Sequence, residues 1–176
     1  MDTLLDRFVS LLSPASHVLD LGAGKGVEAS HLASLGFRVD AVDRQNFDVL
    51  DTRVNWHVKA IEAFMSEQEN TSVYDGILLQ NIIQMLDKEW VLNTALPQLV
   101  SLLRPNGVMV IETFWKEPEP RFRKEMRLYT VEELCDALSG CEILFSEQTT
   151  ERKNDLEGES HVFGIIRMLL RSLERE

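Results

Sequence analysis

The chain has 176 residues, 44% of them hydrophobic and 27% charged, which suits one domain with its own core. Its net charge of -11 excludes a general electrostatic surface for nucleic acid or anionic membrane. Cys135 and Cys141 are the only cysteines, too few for a disulfide framework or a paired zinc site, and they read as thiols in a reducing compartment, the cytoplasm.

The N-terminal stretch MDTLLDRFVSLLSP lacks the basic start and unbroken apolar centre of a secretory leader. Instead Leu4, Leu5, Phe8, Leu11 and Leu12 fall at helical spacing before Pro14, a lead-in helix over residues 1–12 whose apolar face needs a partner. We expect it to cover part of a ligand pocket, so that its deletion impairs binding more than folding. From there strand-like runs alternate with helical ones. HVLDL precedes a helix over Glu28–Leu35; FRVDAVD follows; WHVKA leads to a helix over Ile61–Met65; YDGILLQ leads to one over Lys88–Leu103; GVMVIETF comes after. Such alternation predicts a mostly parallel sheet wound by helices. The breakers Pro105 and Gly107 set a turn at LRPNG, and Thr130 with Glu133 predicts a capping box. CEILFSE and SHVFGIIRMLL, joined by a polar stretch, predict a terminal antiparallel pair. No apolar run is long enough to span a bilayer.

The stretch VLDLGAGKG, residues 18–26, carries three glycines at alternate positions after a strand. In α/β sheets that is where backbone approaches a nucleotide. The dinucleotide pattern G-x-G-x-x-G is not met, because Val27 stands where its last glycine belongs, and this weighs against a nicotinamide oxidoreductase. Asp43, at the end of RVDAVD, lies at the interval where a carboxylate meets ribose hydroxyls.

In this order VLDLGAGKG, AVD at 41–43, YDGILLQN at 74–81 and LLRPNGVMVIETF resemble the motifs of the class I S-adenosylmethionine-dependent methyltransferases. The resemblance covers residues 16–170, and RLYTVEELCDALSGCEILFSEQ is similar to the tellurite-resistance type. It implies a single-domain α/β Rossmann-like methyltransferase fold, a mostly parallel seven-stranded sheet ending in an antiparallel strand. It also implies S-adenosyl-L-methionine as cofactor and a small-molecule acceptor, with neither nucleic acid nor membrane as partner and no metal. Cofactor contacts are implied for Asp20, Gly22, Ala23, Gly24, Gly26, Asp43, Arg44, Ala60, Ile61, Glu62, Gln80 and Asn81. Gln80 and Asn81 border the methyl group. Ala60 departs from the acidic residue that commonly meets the adenine amino group, leaving Glu62, backbone or water for that contact. This departure keeps open an alternative, a methyltransferase-like binding or regulatory protein without turnover.

Methyl transfer is an in-line displacement that rests on positioning and needs no protein nucleophile, and a base only for an acceptor that holds its proton. The acceptor wall is expected from Gln80, Asn81, Phe114, Trp115 and His161, with His161 as a base, although Phe114 and Trp115 fit a core equally well. Residues 115–129 are expected to form an irregular lid, through Pro118 and Pro120. Its Arg121, Arg123 and Arg127 would hold an anionic acceptor. Solvated loop charge is the plain alternative.

Overall fold

Aliphatic and β-branched runs form β1 (His17–Leu21), β2 (Arg38–Asp43), β3 (Asn55–Val58), β4 (Tyr74–Gln80), β5 (Leu103–Glu119), β6 (Cys141–Asn154) and β7 (Ser160–Ser172). They pair as one sheet in the order β3-β2-β1-β4-β5-β7-β6. All neighbours from β3 to β5 are parallel, whereas β7 runs antiparallel to both β5 and β6. This is the expected seven-stranded α/β sheet with its terminal antiparallel pair. Strand order reverses between β1 and β4, which opens a crevice at the carboxyl ends of those strands. The computed structural model describes residues 3–47, 51–69, 71–119, 125–154, 158 and 160–173.

Helices cover both faces. On one lie α1 (Leu4–Ser10) and α2 (Val27–Ser34), which bury Phe8, Ala29 and Leu32 against Val18, Leu78 and Val110. On the other lie α3 (Ile61–Ser66), α4 (Lys88–Trp90), a π turn (Val91–Ala95), α5 (Leu96–Leu102) and α6 (Val131–Ala137), around a core of Leu19, Ile77, Ile111 and Met168. The predicted capping box of Thr130 and Glu133 is present, and Thr3 with Asp6 forms a second one at the start of α1. The stretch predicted as one helix from Lys88 instead contains the π turn. Pro97 has no amide hydrogen for the regular ladder, and the wider turn before it takes up the mismatch.

Three expectations change. The turn at 103–107 is a bulge inside β5, since Tyr74 pairs with Leu103 and Gly76 already with Val108. The lid expected at 115–129 begins as regular strand, because β5 runs on to Glu119 with β7 as its partner after β4 ends opposite Glu112. Pro118 falls in the irregularity between Lys116 and Glu119, where no ladder amide is required. Arg121 and Arg123 lie outside the described residues. Finally, α1 is core: Phe8 is fully buried over Gly76, where any Cβ would overlap its ring. Deleting residues 1–12 would expose this sheet face, so folding suffers as well as binding.

A polar network sits inside the sheet, away from the crevice. Asp40 accepts from Tyr74 Oη at 3.0 Å and Asn55 Nδ2 at 2.6 Å, and faces His17 Nε2 at 2.9 Å. Burial pushes its carboxyl pKa up, but the hydrogen bonds from His17, Asn55 and Tyr74 outweigh burial and hold it well below the usual range. A depressed carboxylate stabilises the fold fully above its unfolded pKa of about 3.9 and loses that contribution as pH falls through its folded value. Asp40→Asn is therefore expected to cost about 1–3 kcal/mol at pH 7 and to flatten acid unfolding below pH ~4, read by urea denaturation across pH. An unchanged acid limb would assign the acid sensitivity elsewhere. Among the described residues no helix is long and apolar enough to cross a membrane.

Candidate functional site

The crevice is built from the glycine turn. Gly22, Gly24 and Gly26 have φ of 76°, 54° and 76°, left-handed values that side chains with a Cβ rarely adopt. The amides of Gly22 and Ala23 donate to Val42 O at 2.8 and 3.1 Å, which ties the turn to the end of β2. The three glycines then part in role. A Cβ on Gly22 would strike Ile82, and one on Gly26 would strike Trp56, whereas Gly24 has nothing within 4 Å. Gly24 is open to a ligand, and Gly26 serves the packing of Trp56 and the start of α2. Beside them Asp43 accepts from Gly24 N at 2.9 Å through Oδ2 and from Gln45 N at 2.8 Å through Oδ1. Asp43 also lines the crevice, and a carboxyl group that accepts two hydrogen bonds has further acceptor capacity.

Three cavities lie in a row along this edge. The first, about 310 Å³, is lined by Gly22, Gly24, Asp43, Arg44, Ala60, Ile61 and Glu62, with Phe47, Ile82, Met85 and Leu86 adding an apolar wall. The second, about 370 Å³, is lined by Asp20, Gly22, Ala23, Glu28, Gln80, Asn81 and Glu112. The third, about 570 Å³, shares Glu28, Gln80 and Glu112 with the second and is closed by the start of α1 and by β6.

Asp20 governs the middle cavity. It is 4% exposed, and its Oδ2 is buried with no hydrogen-bond partner. Burial, then the nearby charges of Glu28 and Asp43, push its carboxyl up to about 7. A buried carboxylate without a donor is complementary to a cationic group.

The far wall is a chain of contacts. Asn81 has φ 55°, a left-handed value that Asn tolerates better than most residues. Its amide donates to Glu112 O at 2.9 Å and its Nδ2 to Glu112 Oε1 at 2.8 Å. Arg167 Nε donates to Glu112 Oε2 at 2.6 Å, while its terminal nitrogens grip Glu151 from β6 and reach Glu147 at 3.4 Å. The hydrogen bond to Glu151, ahead of the pairing with Glu112, raises the guanidinium pKa further. β4, β5, β7 and β6 are thereby joined across the crevice.

Of the residues expected at the site, all the cofactor group except Gly26 line the first two cavities. The acceptor group disperses. Phe114 stacks on Phe163 at 5.2 Å between centroids in a satellite core with Ile165. Trp115 lies against Gly164 and donates from Nε1 to Thr149 O at 3.1 Å. His161 is 3% exposed and six residues along β7 from Arg167, about 20 Å at strand rise, so the fold does not bring it to the crevice. Arg127 pairs with Glu125 at 3.6 Å and Lys116 with Glu119 at 2.8 Å, which gives the anionic-acceptor expectation no free cation in the described part of that segment. Sequence reasoning missed Glu28, Glu112 and Arg167. Glu112 carried one signal, its place at the end of the GVMVIETF strand; Arg167 carried none.

The model of a family described as a methyltransferase domain matches residues 1–149. Among curated relatives, the ubiquinone biosynthesis O-methyltransferase of Rickettsia typhi is 32% identical over 107 residues, covering 54% of this chain and 40% of its own. That of Rickettsia felis is 28% identical over 122 residues, covering 64% and 48%. The chain thus spans less than half the length of these relatives. In overall fold it is similar to TehB from Haemophilus influenzae, with TM-score 0.73, 21% identity, and 96% of this chain and 61% of that one covered. A second structure is the 1,6-didemethyltoxoflavin-N1-methyltransferase of Burkholderia thailandensis with bound S-adenosylhomocysteine, with TM-score 0.70, 21% identity, and 97% and 76% covered.

Proposed function

The chain belongs to the methyltransferase-domain family, and from that premise we propose that it transfers the methyl group of S-adenosylmethionine to a small-molecule acceptor. The observation that carries this reading is the orphan Oδ2 of Asp20, a buried carboxyl oxygen without a donor, which the ammonium of the cofactor's amino-acid portion would supply. When bound, the cofactor supplies a methyl carbon already activated by its sulfonium. The chain's own residues then bind and orient. Asp43 accepts ribose hydroxyls on the lone pairs that Gly24 and Gln45 leave free. Ile82, Met85 and Leu86 flank the base and exclude water from it, and Glu62 is the carboxylate in place to take the contact that Ala60 cannot make.

Gln80 stands at the boundary between the middle and third cavities, and Asn81 lines the middle one beside it. Holding donor and acceptor there at near-attack distance accounts for most of the rate that positioning contributes. The curated relatives are named for oxygen methylation and the toxoflavin enzyme for nitrogen. A shared sheet leaves the acceptor to local side chains.

Calorimetric titration with S-adenosylhomocysteine tests the reading. Wild type is expected to bind one equivalent, and Asp43→Ala to bind about 1–3 kcal/mol more weakly, roughly fivefold to 150-fold. Absence of binding by the wild type would overturn the reading, and equal affinity in the variant would remove Asp43 from the site.

A further inference from the structure

We infer that Asn81 turns its side-chain oxygen toward the sulfonium centre of the cofactor, and that Glu112 is the positioning residue that fixes this polarity. The role rests on the methyltransferase reading and deepens it at one atom.

Three successive residues track the row of cavities: Gln80 lines the middle and third, Asn81 the middle, and Ile82 the first. In the cofactor the sulfur is bonded both to the ribose carbon and to the amino-acid chain. With ribose at Asp43 in the first cavity and the ammonium at Asp20 in the middle one, the sulfur falls where those cavities meet. Gly22, which lines both, and the step from Asn81 to Ile82 mark that junction.

The polarity follows from donors and acceptors. An asparagine amide can face either way, and its partners decide which. Here Asn81 Nδ2 donates to Glu112 Oε1 at 2.8 Å, and Arg167 Nε donates to Glu112 Oε2 at 2.6 Å. Glu112 is 8% exposed. Salt-bridged to a guanidinium that has donors only, its carboxylate offers acceptors and no donor. Nitrogen must therefore face Glu112, and Oδ1 is turned away from it, on a residue that is exposed and lines the middle cavity. That oxygen takes no hydrogen bond among the described residues. The backbone is held too, since Asn81 N donates to Glu112 O at 2.9 Å. A carbonyl oxygen fixed in advance beside a cationic sulfur attracts its charge and its polarised methyl hydrogens, whereas the neutral thioether of the product draws on neither. Asn81 thus distinguishes donor from product.

The test needs no turnover. The whole chain is titrated calorimetrically with S-adenosylhomocysteine and with sinefungin, in which an amine-bearing carbon replaces the methyl-bearing sulfur. Wild type is expected to prefer sinefungin by at least about tenfold, the scale of a hydrogen bond to a charged group. Asn81→Gly keeps the left-handed backbone and deletes the oxygen, so the preference should fall to within about threefold while S-adenosylhomocysteine affinity holds. Glu112→Gln should act the same way at one remove. The new amide must turn its oxygen to Arg167 and its nitrogen to Asn81, whose own amide then turns over and shows a donor to the cavity. Adding Asn81→Asp to Glu112→Gln returns an acceptor to both sides and should restore the preference.

A preference that survives Asn81→Gly overturns the inference with the methyltransferase reading intact. So do a wild type that binds both analogues equally, a double variant without rescue, and single variants that lose both analogues in parallel, the mark of a merely structural role. If wild type fails to bind S-adenosylhomocysteine itself, the underlying reading falls and the inference with it.

Discussion

Arg167→Met is expected to lower the unfolding free energy by about 3–5 kcal/mol, the cost of leaving buried charges without their partner. The side chains of Arg167 and Glu112 are 17% and 10% exposed, and Glu147 and Glu151 share the same guanidinium. Removing it takes a shared guanidinium from three carboxylates on two strands, of which Glu112 is the deeply buried one. Arg167→Lys keeps the charge but not the planar fork that meets Glu112 and Glu151 together, and should fall between. Adding Glu112→Gln to Arg167→Met should recover part of the loss, because the two act as a coupled pair. Urea denaturation at neutral pH reads all three proteins. Loss of Arg167 also removes one hold on Glu112, which fixes Asn81 in its left-handed conformation. Turnover should therefore drop further than S-adenosylhomocysteine affinity in the variants that remain folded. A midpoint unmoved by Arg167→Met would show the cluster to be already solvated.

Asp20→Asn is expected to do the reverse to stability and to harm binding. In the folded chain burial and the neighbouring Glu28 and Asp43 raise this carboxyl to about 7, against an unfolded value of about 3.9. Below pH ~4 both states are protonated and the group costs nothing. Between that and pH about 7 the unfolded chain gives up its proton and the folded chain keeps it, so stability falls as pH rises. Above the folded value the loss is complete, on the order of 4 kcal/mol. Asparagine removes this slope but leaves a buried amide without a partner, a cost of about 1–3 kcal/mol, so the net gain above pH 7 is about 2 kcal/mol. The ligand's ammonium should restore the ionised form in wild type. Binding near pH 7 then releases a proton, seen as a calorimetric enthalpy that varies with the buffer. In Asp20→Asn that dependence vanishes and S-adenosylmethionine affinity drops by more than tenfold. A variant that binds as tightly as wild type would move the ammonium away from Asp20.

Local pattern alone determined the order of the strands along the chain, the Thr130–Glu133 capping box and the antiparallel ending, and it singled out the glycine turn and Asp43. The physical reason is that those features are written in short-range terms: aliphatic runs, alternate glycines at left-handed positions, and a carboxylate at the end of the second strand. The glycine turn and Asp43 come together because two adjacent parallel strands end side by side, a consequence of strand order that a sequence already implies. Register and packing decided the rest. Only pairing of β5 with β7 beyond Glu112 shows that Phe114, Trp115 and His161 belong to a packed arm rather than to the crevice. Only the fully buried Phe8 over Gly76 makes α1 core. Glu28, Glu112 and Arg167 stand far apart in the chain, and no spacing rule joins them. Their meeting depends on which face of three separate elements looks inward, and long-range contact fixes that after the strands have paired.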